Sequence, residues 1–248
     1  GNLVNNTAQR MECETLYWKD KTITLTNRNY DEVFGKELDD INKYDPVDHK
    51  DAYAREHMLE YAHRTIDQTR KVVKELCGKN KITSERYVMN KPKQLLHDII
   101  GRIDYETNKS FIELKTKPPS IVKKKGKDEY YFKTQTLSDD AVFDAYWGQV
   151  AFYWKCTGKK PFLVLVNDKE YLIYDDTHAA LYDDHLEYQY NMMIKRIYNW
   201  EQMIIYCKGD LQKLADISEP PDLNHFYHYK FLTDKQRKTI KQLWGLDA

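Results

Sequence analysis

Between Asp48 and Cys77, Met58, Tyr61, Ala62, Thr65, Val72, Val73 and Leu76 recur at the three-and-four spacing of one helix face, with Gly78 placed to end the helix. The period then shortens. Arg86–Met89 reads as a strand, and two apolar runs, Ile99–Ile103 and Phe111–Leu114, flank a polar connection from Tyr105 to Ser110. Thr107, Asn108, Lys109 and Ser110 are residues that a hairpin connection favours, and Pro118-Pro119 ends the third strand. A second helical stripe, Val142, Ala145, Tyr146, Gln149, Phe152, Tyr153 and Cys156, predicts a helix from Ser138 to Cys156, broken by Gly158. Pro161–Val166 reads as a buried strand, with Glu170–Tyr174 as its partner across an Asn167-Asp168-Lys169 turn. From His185 to Ile217 the pattern is helical, Pro220-Pro221 marks a break, and Thr233–Trp244 is a last amphipathic helix. Residues 1–45 are the least patterned: Thr22–Thr26 alternates like a strand, and Tyr30–Lys43 reads as irregular chain or a short helix. Strands, a helix, then more strands define an α/β protein: a central mixed sheet flanked by helices, with additional helices at the C-terminal end. The expected division is an N-terminal extension (1–47), a core (48–180) and a C-terminal helical part (181–248) packed on it, in a single compact domain.

Chemistry concentrates around the third strand. Successive strand side chains point to opposite faces, so Glu113 and Lys115 share one face while Ile112 and Leu114 share the other. Asp104 ends the preceding run and can sit beside Glu113 across the pair. Two carboxylates are hard oxygen ligands suited to Mg²⁺ or Mn²⁺. An adjacent ammonium can orient or deprotonate water, or stabilise developing negative charge. The same spacing also suits a surface hairpin with a cross-strand ion pair and no chemistry. Gln149 is an amide within a mostly apolar stripe, and a buried amide needs a hydrogen-bond partner. It is either aimed at something polar in a site or bonded to backbone in the core, with Tyr153 as a packing residue.

Gly101-Arg102-Ile103-Asp104 followed by Phe111-Ile112-Glu113-Leu114-Lys115-Thr116 resembles the catalytic core of the PD-(D/E)xK (restriction-endonuclease-like) nuclease superfamily. Gln149-Val150-Ala151-Phe152-Tyr153 matches the Q-x-x-x-Y signature of its RecB-type exonucleases, a group with mitochondrial and phage members. The likeness runs from Glu56 to Tyr174, and no proline precedes Asp104. The resemblance implies that Asp104 and Glu113 hold Mg²⁺ or Mn²⁺, with the Leu114 carbonyl as a further ligand. It implies an extra ligand from the preceding helix, His57 or Glu60, which lie three apart on one face. Lys115 would position the attacking water, Gln149 would orient that water or a phosphate, and Tyr153 would contact the site or DNA. The implied activity is metal-dependent DNA exonuclease action on single strands or DNA ends in replication, repair or recombination. A structure- or sequence-specific endonuclease and a non-catalytic nucleic-acid-binding module are the rivals.

Composition adds limits. The 248 residues carry a formal net charge of zero, so any affinity for DNA must come from local segregation of charge. Lys117, Lys123, Lys124, Lys125 and Lys127 form the most basic stretch, and Tyr130 and Tyr131 add faces on which unpaired bases stack. A solvated loop followed by ordinary hairpin residues fits that stretch as well. Cys13, Cys77, Cys156 and Cys207 lie far apart, without the C-x2-C of a zinc site or the clustered cysteines of iron–sulfur relatives. No cluster is expected, and reduced thiols are. His225 and His228 flank Phe226-Tyr227 and read as non-metal. No apolar run approaches membrane-spanning length, so no membrane partner is expected, and the reduced thiols suit an intracellular compartment. The chain opens at Gly1, so a removed leader would suit a mitochondrial matrix as well as a bacterial or phage-infected cytoplasm.

Overall fold

The elements of the computed structural model are, in order, α1 (Asn2–Glu12), β1 (Thr15–Trp18), β2 (Lys21–Thr24), α2 (Tyr30–Asn42), α3 (His49–Cys77), β3 (Thr83–Asn90), β4 (Ile99–Glu106), β5 (Ser110–Thr116), β6 (Ser120–Lys123) and β7 (Tyr130–Lys133). There follow α4 (Asp144–Thr157), β8 (Lys160–Val166), β9 (Tyr171–Tyr174), a 3-10 turn (Ala179–Leu181), α5 (Asp183–Cys207), α6 (Leu211–Ile217) and α7 (Asp234–Leu243). The structure describes residues 2–18, 21–25, 29–42, 49–127, 129–138, 144–223 and 232–246. Val142 of the expected stripe and the segment from His225 to His228 lie outside the described residues, as does the side chain of Ala145.

A mixed seven-stranded sheet, ordered β2-β1-β3-β4-β5-β8-β9, stands between helices. β5 runs parallel to β8 and β1 parallel to β3, while the remaining neighbours are antiparallel. β6 and β7 form a separate hairpin. On one face Tyr105, Ile112, Leu114, Phe162, Val164 and Val166 pack with Val72, Val73 and Cys77 of α3. Leu163 and Leu165 alternate to the other face, where α4 lies against β8, β3 and β4. A strand covered on both sides is why β8 reads as an unbroken apolar run. Burial pushes the Cys77 thiol up to about 11, so it behaves as a small core hydrophobe.

Local chemistry sets the turns. Thr107 Oγ1 accepts from the Lys109 and Ser110 amides at 3.2 and 3.0 Å, closing the β4–β5 connection. That connection is shorter than the sequence pattern suggests. Tyr105, expected in the turn, is a fully buried strand residue, because its ring joins the core under α3. Asn167 Oδ1 accepts from the Lys169 and Glu170 amides at 2.7 and 2.8 Å, the turn expected between β8 and β9.

Gly101 lies under α4. A Cβ there would run into the ring edge of Tyr153 and reach Phe152 at 3.0 Å. Gly101→Val should therefore displace Tyr153 and cost about 1–3 kcal/mol, an overpacking penalty. A urea midpoint equal to that of the unaltered protein would refute that packing.

The described residues before α3 form more regular structure than their sequence pattern suggests. α1 was not anticipated, and it packs through Leu3 and Val4 on Phe34 of α2 and on Ala62 and Ile66 of α3. Tyr30–Asn42 is a full helix, and β1 with β2 extends the sheet.

By contacts the chain forms two compact units, Gly1–Asn90 with Asp98–Asn191, and Lys91–His97 with Met192–Ala248. The sheet, helices α1 to α4 and the β6–β7 hairpin belong to the first. In the second, Glu201 accepts from the Leu96 and His97 amides, at 2.9 and 3.1 Å, and so holds the 91–97 segment on α5. The helical run expected from His185 to Ile217 breaks at Lys208 and Gly209, both at positive φ, and Asp210 caps α6. A Thr233–Gln236 capping box starts α7. Among the described residues no helix is long and apolar enough to cross a membrane.

Candidate active site

β4 and β5 pair only at Tyr105 with Ile112 and at Glu106 with Phe111. Continued one step, that register sets Asp104 opposite Glu113, but there the ladder has already stopped. The Asp104 carboxylate takes the place of a strand: its Oδ2 accepts from the Leu114 amide at 2.8 Å. An acid at the point where two strands part thus satisfies an amide that would otherwise be orphaned. Leu114 meets Asp104 through its backbone, while its side chain lies in the core under α3.

Glu113 is 2% exposed. Lys115 Nζ donates to Glu113 Oε1 at 2.5 Å and to Gln149 Oε1 at 2.9 Å. Gln149 Nε2 donates to the Tyr153 hydroxyl at 2.8 Å, and that hydroxyl donates to the Arg102 carbonyl at 2.7 Å. The helical spacing of four brings Gln149 above Tyr153, and the strand spacing of two brings Lys115 above Glu113. One continuous chain of hydrogen bonds therefore links β5, α4 and β4. The amide that stood out in the apolar stripe is aimed at the ammonium.

Electrostatics follow from burial. Desolvation pushes the Asp104 carboxyl up to about 6, against the Leu114 amide and Lys115, which favour its charge. Glu113 is raised well above the usual carboxylate range, by burial first and then by Asp104. Burial works against the Lys115 ammonium too, but Glu113 outweighs it and the lysine pKa is raised. Lys115 is thus a fixed cation. Lys117 goes the other way, lowered by burial and by Lys115, and both ammonium groups lie over the Tyr146 ring, at 5.4 and 4.8 Å.

Among the described residues, Glu113 Oε2 is buried with no hydrogen-bond partner. A buried carboxylate oxygen left without a donor, beside a second acid, is what a hard divalent cation would satisfy, so these residues fit Mg²⁺ or Mn²⁺. Among the described residues, no group of three or more His, Cys, Asp or Glu is gathered for a metal ion. His57 and Glu60 accordingly do not join the pair. His57 is half-exposed, edge-on to Tyr53 and beside Glu56, and Glu60 is exposed and bonded to Arg64. Their helix turns the Ala62–Ile66 stripe inward, which leaves both acidic and imidazole groups on its outer side.

Three contributors escaped the sequence. Asn5 of α1 donates to Asp104 Oδ1 at 3.2 Å and accepts from the buried Tyr105 hydroxyl at 3.0 Å. Gln9, one helical turn on, donates to Glu85 Oε1 at 2.7 Å and to the Asp104 carbonyl at 3.3 Å. Glu85 also pairs with Arg102 at 2.9 Å, and its charge helps raise both Asp104 and Glu113. Its φ is +55°, a strained value for a non-glycine residue. Register pairs Ser84 with Tyr105 and Arg86 with Ile103, leaving Glu85 opposite Asp104. Here the strand alternation slips: Tyr105 faces α3, whereas Gly101, an even number of residues away, faces α4. Asn5→Ala should cost about 1–3 kcal/mol, since it strands the Tyr105 hydroxyl. Urea denaturation checks this, and an unchanged midpoint would remove Asn5 from the network.

The basic stretch forms the β6–β7 hairpin. Its tip carries Lys123, Lys124, Lys125 and Lys127 around Gly126 at φ +77°, and Lys124 pairs with Glu129 at 2.8 Å. Tyr130 and Phe132 pack toward Tyr53, with ring centroids at 5.9 and 5.4 Å, and Phe132 also meets Tyr61 at 4.6 Å. Tyr130 therefore anchors the hairpin to α3, while Tyr131 is turned outward and exposed.

Comparison with family models, curated proteins and solved structures found no match to this chain.

Proposed function

We propose that the chain is a metal-dependent DNA exonuclease built on a PD-(D/E)xK core. The observation that carries this reading is the Lys115 ammonium held between Glu113 and Gln149, with Asp104 at the parting of the strands. Residues far apart in sequence, of the types that phosphodiester hydrolysis uses, meet at one point where a carboxylate oxygen lacks a partner among the described residues.

Asp104 and Glu113 would hold the cation. A divalent ion there supplies positive charge for the phosphoryl oxygens and makes water more acidic. Lys115, kept cationic by Glu113, stabilises the negative charge that grows on the phosphate during attack. Gln149 fixes the direction of that ammonium, and Tyr153 fixes Gln149 against the Arg102 carbonyl. Both act as positioning residues. The hairpin lysines Lys123 to Lys127 track the strand backbone, with Lys117 nearer the site, and Tyr131 offers a ring to a base.

The test is incubation of end-labelled linear single- and double-stranded DNA, and of covalently closed circles, with Mg²⁺ or Mn²⁺. Linear DNA should be degraded from its ends and closed circles spared. Cleavage of the circles would make the enzyme an endonuclease, and intact DNA in every case would leave a binding module.

A further inference from the structure

A groove of about 870 Å³ opens where the β4–β5 hairpin turns, beside the chain leaving α3. Among the described residues its lining sets Lys79, Lys81, Arg86 and Lys159 against one carboxylate, Glu106. That local excess of positive charge stands out in a protein whose formal charge is zero. Glu106 is only 4% exposed and organises the floor: Arg86 Nη1 reaches it at 2.5 Å and Lys159 Nζ at 2.7 Å. Lys159 is fixed further by the Thr107 carbonyl at 2.6 Å. A buried acid so paired stabilises the position of two cations while cancelling only one charge.

At the rim the balance is different. Lys79 and Lys81 are exposed, and among the described residues the ion pair of Lys81 is a loose, solvent-exposed one with Glu14 at 3.4 Å, a contact worth little. The Tyr87 ring, 42% exposed, also lines the groove, and the Arg102 guanidinium stands 6.0 Å from its centroid. Several ammonium groups within one small concavity match the compact charge of a phosphate better than the spread charges of an acidic peptide. A flat exposed ring beside a guanidinium is a face on which a base stacks. The volume is within the range that holds a small organic ligand.

We infer that this groove binds a nucleotide phosphate, with Lys79 and Lys81 capturing the anion and Tyr87 receiving the base. The phosphate can belong to a free mononucleotide or to a nucleic-acid strand. The inference does not depend on hydrolysis at Asp104 and Glu113.

Titration of the full chain without divalent cations, using thymidine monophosphate, inorganic phosphate and a short oligothymidylate, tests it. The double charge reversal Lys79→Glu/Lys81→Glu should weaken binding at least about tenfold, through lost phosphate neutralisation. The same reversal on exposed positions of α7, Lys235→Glu/Lys238→Glu, should leave binding unchanged. Tyr87→Ala should weaken thymidine monophosphate more than inorganic phosphate. Binding of the mononucleotide identifies a free nucleotide as ligand, and binding of the oligonucleotide alone identifies a strand; either supports the groove when the Lys79→Glu/Lys81→Glu reversal weakens it, which separates the groove from the β6–β7 hairpin. It is overturned if the unaltered protein binds neither, if the reversed variant binds equally well, or if an oligoglutamate of matched charge binds as tightly.

Discussion

Lys115→Ala is expected to slow metal-dependent hydrolysis at least 100-fold, since one stabiliser of transition-state charge is worth roughly 10²–10³ in rate. Asp104→Ala should match it by removing a cation ligand. Lys115→Ala carries a second effect, because Glu113 Oε1 loses its bonded partner and Oε2 has none among the described residues. Breaking a buried pair from one side costs about 3–5 kcal/mol when the remaining group stays charged. Glu113 already has a raised pKa, and without Lys115 it would take up a proton more readily. The stability loss should therefore shrink as the pH falls. Lost activity and lost folding are separable through the double variant Glu113→Gln/Lys115→Met, which replaces both partners by neutral groups. Its urea midpoint should recover most of the single variant's loss, while its hydrolysis stays at background. Recovery of hydrolysis in that double variant, or full activity in Lys115→Ala, would exclude a catalytic role for the ammonium.

The sequence made the centre of this site legible and left its supports hidden, for physical reasons. Glu113 and Lys115 share a face because strand alternation is local, and Gln149 and Tyr153 share one because helical spacing is local. Gln149 drew notice because an amide in an apolar stripe needs a partner, and Lys115 is that partner. The central sheet with flanking helices was likewise readable from changes of period. Asn5 and Gln9 were not. Their helix has only Leu3, Val4 and Ala8 as buried apolar residues, too sparse a stripe against polar neighbours, and their partners lie 95 or more residues away at Asp104 and 76 away at Glu85. Glu85 adopts a backbone conformation that glycine or asparagine would have signalled and glutamate does not. His57 and Glu60 show the opposite failure. Spacing correctly puts them on a common helix face, but only packing decides which face turns inward, and Ala62 and Ile66 take that place.

Asp104→Asn should make the metal-free protein more stable at neutral pH, the mark of a residue kept for function at the expense of the fold. The Asp104 carboxyl rises from 3.8 to about 6 on folding, chiefly through burial. A raised carboxyl pKa means that folding opposes ionisation. No penalty exists below pH 3.8; it grows as the pH climbs through the interval, and it is complete above about 6. At about 1.4 kcal/mol per pH unit the full penalty approaches 3 kcal/mol. Asparagine carries no charge to desolvate, and it fits the hydrogen bonds in place. Its Oδ1 can accept from the Leu114 amide, and its Nδ2 can donate to Asn5 if that amide turns over and the Tyr105 hydroxyl reverses its role. The variant should therefore exceed the unaltered protein in urea midpoint at about pH 7.5 and converge with it near pH 4. Added Mg²⁺ or Mn²⁺ should reverse the order at neutral pH, because a ligand that binds only the folded state stabilises it, and a neutral amide in place of the carboxylate would hold that ligand poorly. If the midpoints of the two proteins differ by the same amount at both pH values, the Asp104 carboxyl is not the group whose ionisation folding opposes. If the cation raises both midpoints equally, it does not bind at Asp104.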